Sequence, residues 1–219
     1  MARPTALAGP PEQPTLWIIA GANGSGKSSA YDRMSIDAPA GSVWIINPDL
    51  LSARIRDHEG LEDRDANIAA VQRIEAWLRA SVMAHQSVGV ETVLSTAKYR
   101  RLVRLAKRQG FRIRMIYVVL KTAELNVQRV RLRVAKGGHD VPTPSILDRR
   151  RRSFGELPWF LTHADDVEVL DNSGAQPVLV ARKTGDTLEI YGDELPAELQ
   201  ESISRAVRGD LRSAPRDLQ

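Results

Sequence analysis

Two rhythms of apolar residues alternate along this chain. Short, nearly continuous apolar runs read as buried strands: "TLWIIAG" at 15–21, "SVGVETVLS" at 87–95 and "FRIRMIYVVL" at 111–120. "SVWIINPDL" at 42–50 is a further strand, stopped at Asn47-Pro48 because proline cannot continue a ladder. "DVEVLDNSG" at 166–174 makes a fifth. Between them the apolar spacing lengthens to the helical period. Lys27 to about Met34 opens a helix, and Ile68, Val71, Ile74, Trp77, Leu78 and Val82 mark one face of a long one. "AKYRRLVRLAKRQG" at 97–110 is a basic amphipathic helix closed by Gly110, and its arginines read as a solvated face. "AELNVQRVRLRVAK" at 123–136 is a helix ending at Gly137-Gly138, and another basic helix follows a loop. Trp17, Trp44, Trp77 and Trp159 sit mostly in apolar runs and read as core.

Strands alternating with helices predict an α/β fold: a mostly parallel five-stranded sheet covered by helices on both faces. The last part departs from this pattern. "PVLVARKTGDTLEIYGD" holds two strand-like runs around Gly185, predicting a C-terminal β-hairpin, and a helix over Glu198–Val207 ends the pattern. No repeat and no linker interrupts it. The reading is a proline-rich, poorly ordered lead at 1–14, a single domain over 15–209 and a flexible tail at 210–219.

Composition narrows the classes without selecting one. The 219 residues are 42% hydrophobic and 26% charged, as in an ordinary globular protein. The absence of cysteine excludes disulfides and thiolate metal sites and suits a cytoplasmic location. The longest apolar runs are too short to span a bilayer, and the first residues lack the apolar core of a signal peptide. A formal charge of +4 is a mild excess, and with aromatics at 5% a nucleic-acid partner is disfavoured.

Chemistry enters with "GANGSGKSS". Gly21, Ala22, Asn23, Gly24, Ser25, Gly26, Lys27 and Ser28 fit G-x-x-x-x-G-K-[ST], between a predicted strand and a predicted helix. Glycines let backbone N–H groups turn inward around phosphate, and the helix N-terminus adds partial positive charge. Lys27 is placed to reach the β- and γ-phosphates, and Ser28 Oγ to hold Mg²⁺. The dinucleotide pattern fails because position 29 is serine, so ATP or GTP is favoured over NAD. The fold expected is that of P-loop NTPases.

Three acids stand at strand ends, where open α/β sheets place ligands: Asp49, Glu91 and Asp171. Phosphoryl transfer to a hydroxyl uses a carboxylate to accept the proton, and Asp49 is the candidate base. Glu91 is a candidate for positioning the acceptor or for holding Mg²⁺ through a water. A turn or helix-capping role competes for each acid. Arg129 and Arg133 share a helix face, and Arg149–Arg152 follow a Gly-Gly loop, so residues 137–153 read as a lid whose arginines contact the transferring phosphoryl group. A solvated basic helix competes with that reading. His139 reads as structural.

These segments together resemble the zeta-toxin family of P-loop kinases, and more closely its compact bacterial branch of predicted ATPases. The matching stretches are "GANGSGKSS", "INPD", "ETVLST", "RVRLRVAKGGHDVP", "DRRRRS" and "LDNSG", in order between Trp17 and Gly174. The resemblance implies ATP- and Mg²⁺-dependent phosphorylation of a small-molecule hydroxyl, with ATP favoured over GTP. In the characterised toxins the acceptor is UDP-N-acetylglucosamine. It implies Asp49 as base, Glu91 with Thr92 and Ser95 at the acceptor, and Lys27, Ser28, Ser29 and Asn172 at the nucleotide. Arg133 and one of Arg149 or Arg150 would be the lid arginines, and an antitoxin is a candidate partner. "LLSARIRDHEG" after Asp49 lacks the Phe-Arg and His-Pro elements associated with sugar-nucleotide recognition. A nucleotide-driven switch and a kinase of nucleotides or nucleic-acid ends remain the alternatives.

Overall fold

The computed structural model describes residues 13–29, 44–138, 140–191 and 194–213, the side chains of 210–213 excepted. Among the described residues seven strands form one sheet: β1 (Thr15–Ala20), β2 (Ile45–Ile46), β3 (Val88–Thr92), β4 (Arg112–Val119), β5 (Asp166–Asp171), β6 (Val178–Thr184) and β7 (Thr187–Ile190). Their spatial order is β2-β3-β1-β4-β5-β6-β7. The first five are parallel, and β6 and β7 are antiparallel. The predicted hairpin is real but not separate. It extends the sheet beyond β5, because Asp166–Asp171 pairs along Val178–Thr184.

Six helices lie wholly among the described residues: α1 (Pro48–Glu59), α2 (Asp63–Met83), α3 (Lys98–Arg108), α4 (Ala123–Ala135), α5 (Thr143–His163) and α6 (Ala197–Ser213). Lys27–Ser29 is helical as predicted, while the remainder of the stretch to Met34 lies outside the described residues. Helix α6 runs beyond the predicted end at Val207. The main core gathers Leu16, Ile18, Val90, Ile113, Tyr117 and Val169 of the sheet with Ile74 and Leu78 of α2 and Leu157 and Phe160 of α5. No helix among the described residues is long and apolar enough to cross a membrane.

Several predictions of the pattern are corrected. The strand expected over 42–50 is only Ile45–Ile46 among its described residues; it stops before Asn47-Pro48 as expected, and that pair also starts a helix. Asn47 Oδ1 accepts the N–H groups of Asp49 and Leu50, and proline at the first helical position has no N–H to leave unpaired. Trp44 is 73% exposed beside the edge strand rather than in the core. Ile68 is exposed too, because α2 turns Ala66, Ala70, Ile74, Leu78 and Val82 inward. The basic helix expected after the Gly-Gly loop is present: residues 143–153 of the proposed lid form the first half of α5, which packs against α6.

Candidate active site

The parallel strands bring their C-terminal ends to one edge, and the chemistry-bearing residues collect there. β1 runs directly into the loop at 21–26, flanked by β3 on one side and β4 on the other. Gly24 and Gly26 have φ of 75° and 85°. A Cβ at Gly24 would lie 2.5 Å from Asn126 O, and one at Gly26 would lie 2.4 Å from Asn172 Nδ2. The loop is therefore clasped from two sides, and only glycine fits both the dihedrals and the space.

Lys27 is buried at the base of this loop. Its ammonium donates to Gly21 O at 3.0 Å and Ala22 O at 3.3 Å, with Glu91 Oε1 at 3.9 Å. Burial pulls its pKa below the ordinary lysine value; Glu91 and then Asp49 oppose the shift, while Arg133 adds to it. A buried cation that lacks full compensation favours an incoming anion. Glu91, 8% exposed, is opposite Ile19 in the parallel register. Its Oε2 accepts Ser28 Oγ–H at 2.9 Å and Asn47 Nδ2–H at 3.1 Å. The hydroxyl, the carboxylate and Lys27 thus meet at the mouth of the loop.

Of the remaining candidates, Arg133, Arg129 and Asn172 line a cleft of about 450 Å³ together with Gly24, Gly26–Ser29 and Glu91. Asn172 Nδ2 donates to Ser25 O at 2.8 Å, and Arg129 Nη2 donates to Asn172 O at 2.7 Å, which fixes the loop after β5 as one wall. Asp49 is exposed on the first turn of α1, near enough to Lys27 to act on its charge. Thr92 Oγ1 accepts the N–H of Leu94, whose φ is 59°, so this threonine shapes the turn after β3. Ser95 is half-buried in that turn. Asp171 accepts both the N–H and the hydroxyl of Ser173 and serves as a turn acid. His139 lies outside the described residues.

The arginine run resolves residue by residue. Arg150, expected as a lid arginine, is 2% exposed and built into the fold, with bonds to Leu120 O, Asn126 Oδ1 and Glu198 Oε1. It does not line the cleft. Arg151 and Arg152 pair with Asp148. Arg149 is half-buried, and no hydrogen bond or ion pair to another described residue is seen for it. Sequence reasoning missed Asn47, Asn126 and the wall-forming role of Arg129. The "NP" pair is a capping signal that was available for Asn47, whereas Asn126 is 103 positions from its partner and has no local signature.

Comparison with known proteins agrees with this geometry. The AAA domain family matches residues 16–157. An uncharacterized protein of Haemophilus influenzae (strain ATCC 51907 / DSM 11121 / KW20 / Rd) is 27% identical over 131 residues, covering 57% of this chain and 89% of that protein. Among solved structures, the AvrRxo1-ORF1:-ORF2 complex with ATP aligns with TM-score 0.66 and 20% identity, over 88% of this chain and 64% of the matched one. This chain therefore spans less than two thirds of that protein's length. The PezAT chromosomal toxin–antitoxin system of the human pathogen Streptococcus pneumoniae aligns with TM-score 0.61 and 14% identity, over 95% and 89% of the two chains. At these identities the structural likeness is one of fold. Taking the loop at 21–28, the sheet order and the family match together, the chain belongs to the AAA domain family, as an α/β P-loop domain.

Proposed function

We propose that this protein is an ATP-dependent phosphotransferase of zeta-toxin type that phosphorylates a hydroxyl of a small molecule, UDP-N-acetylglucosamine being the first candidate. The observation that carries the reading is the convergence of Lys27, Ser28 and Glu91 at the mouth of a glycine loop, with Asp49 beside them and Arg133 across the cleft. The residues present fit a nucleoside triphosphate, since the loop accepts no Cβ at Gly24 or Gly26 and a buried ammonium stands at its base. Among the described residues no cluster of three or more His, Cys, Asp or Glu side chains could hold a metal alone. Ser28 Oγ and Glu91 would instead hold Mg²⁺ jointly with phosphate oxygens, and the ion would neutralise phosphate charge there.

In this reading Asp49 accepts the proton of the acceptor hydroxyl. The hydroxyl oxygen then forms its bond to the γ-phosphorus as the bond from that phosphorus to the β,γ-bridging oxygen breaks, and ADP leaves. Lys27 and Arg133 stabilise charge on the transferring group. Arg149 is the remaining lid candidate in its run, since Arg150 serves the fold and Arg151 and Arg152 pair with Asp148. PezAT, a toxin–antitoxin system, and the AvrRxo1 complex make an antitoxin-like partner a reasonable proposal as well. The test is ADP release with UDP-N-acetylglucosamine and Mg²⁺, with the phosphorylated product identified by mass. ADP release without any phosphorylated acceptor would argue for the switch reading instead.

One observation favours a second reading, a kinase of nucleic-acid ends. Arg79, Lys98, Arg101, Arg104 and Arg108 line a groove of about 440 Å³ between α2 and α3, against one acid, Glu75. Oligonucleotide binding that weakens steeply with salt, together with end phosphorylation, would move the assignment there.

A further inference from the structure

A guanidinium buried to the extent of Arg150 needs its donors matched; Nε and Nη1 are, while Nη2 has no hydrogen-bond partner among the described residues. Its Nη1 donates to Leu120 O at 3.1 Å and to Asn126 Oδ1 at 2.7 Å, and its Nε donates to Glu198 Oε1 at 3.0 Å. Asn126 is fully buried and continues the chain of bonds, its Nδ2 donating to Asn23 O at 2.7 Å. An amide has one accepting end and one donating end, whereas a guanidinium only donates. Arg150 therefore holds Asn126 Oδ1 toward itself and leaves Nδ2 for the loop carbonyl. The reversed amide would set two donors against each other and two oxygens against each other. At the same place the backbone of α4 abuts the loop, since a Cβ on Gly24 would lie 2.5 Å from Asn126 O.

We infer that Asn126 and Arg150 are positioning residues of the phosphate-binding loop. Asn126 fixes the Asn23 carbonyl, so that the N–H groups after it stay turned toward the ligand, and Arg150 fixes Asn126. Glu198 ties the start of α6 into the same network. The inference rests on the phosphate-cradle reading for its consequence in binding, and on geometry alone for its consequence in loop order.

Two readouts on the full chain test it. Asn126→Asp keeps the oxygen that faces Arg150 and removes the donor that faces Asn23. Hydrogen exchange over residues 21–29 of nucleotide-free protein should quicken roughly tenfold relative to residues 112–119, the size of one lost buried hydrogen bond. ATP affinity should weaken by a factor on the order of ten. Arg150→Lys should move both readouts in the same direction, because a single ammonium cannot span the three acceptors, whereas Arg151→Ala should move neither. Equal acceleration over 21–29 and 112–119 with unchanged ATP affinity would make the network merely structural and overturn the inference. If the wild-type protein binds no ATP, the cradle reading fails, and the exchange ratio alone decides the loop role.

Discussion

Lys27 carries the sharpest consequence of the site's electrostatics. Burial disfavours its charged form in the nucleotide-free protein, and phosphate would favour it. Binding should therefore take up protons above the lowered pKa that Lys27 has in the free protein. ATP affinity should fall as pH rises through the lowered pKa of Lys27, and calorimetry in buffers of different ionisation enthalpy reads that uptake directly. Lys27→Ala should remove on the order of 3 kcal/mol or more of transition-state stabilisation, measured as kcat/KM. Asp49 makes a different prediction because it lies on the first turn of α1, outside the glycine loop. Asp49→Asn should retain ATP binding while transfer falls by roughly 10²–10⁴-fold, and full turnover in that variant would remove Asp49 from the base role.

The elements explain why these side chains meet. β1 ends where the loop begins, α4 presses on the loop at Gly24, and the turn after β5 closes over Gly26. Gly24→Ala should cost about 1–2 kcal/mol for the left-handed backbone alone, before the clash with Asn126 O. A lowered Tm together with lost ATP affinity checks it. On α5, Arg149→Ala should reduce kcat roughly 10²-fold, whereas Arg151→Ala and Arg152→Ala should stay within about twofold, as exposed paired residues do. The strand-and-helix alternation and the glycine loop were legible from the chain because each is a local pattern. Helix α1 was not, because it buries little beyond Ser52 and Ile55 and its start, Asn47-Pro48, doubles as a strand stop. The run Arg149–Arg152 was legible as chemistry but not as register. Which arginine enters the core depends on Glu198, Leu120 and Asn126, all distant in sequence.

At the scale of the whole molecule, one seven-stranded sheet of the described residues gathers the residues of the proposed donor site at the C-terminal ends of its parallel strands. In the proposed reaction Lys27, Ser28, Glu91, Asn172 and the glycine loop form the donor end, and Asp49 with the turn after Thr92 forms the acceptor end. The most direct measurement is one that leaves the acceptor open. Wild-type protein, Lys27→Ala and Asp49→Asn are each incubated with ATP, Mg²⁺ and a bacterial metabolite extract containing UDP-N-acetylglucosamine, and products are resolved by mass. The account predicts a small molecule heavier by one phosphate with the wild-type protein and with neither variant. ATP consumption by the wild-type protein with no such product would contradict it.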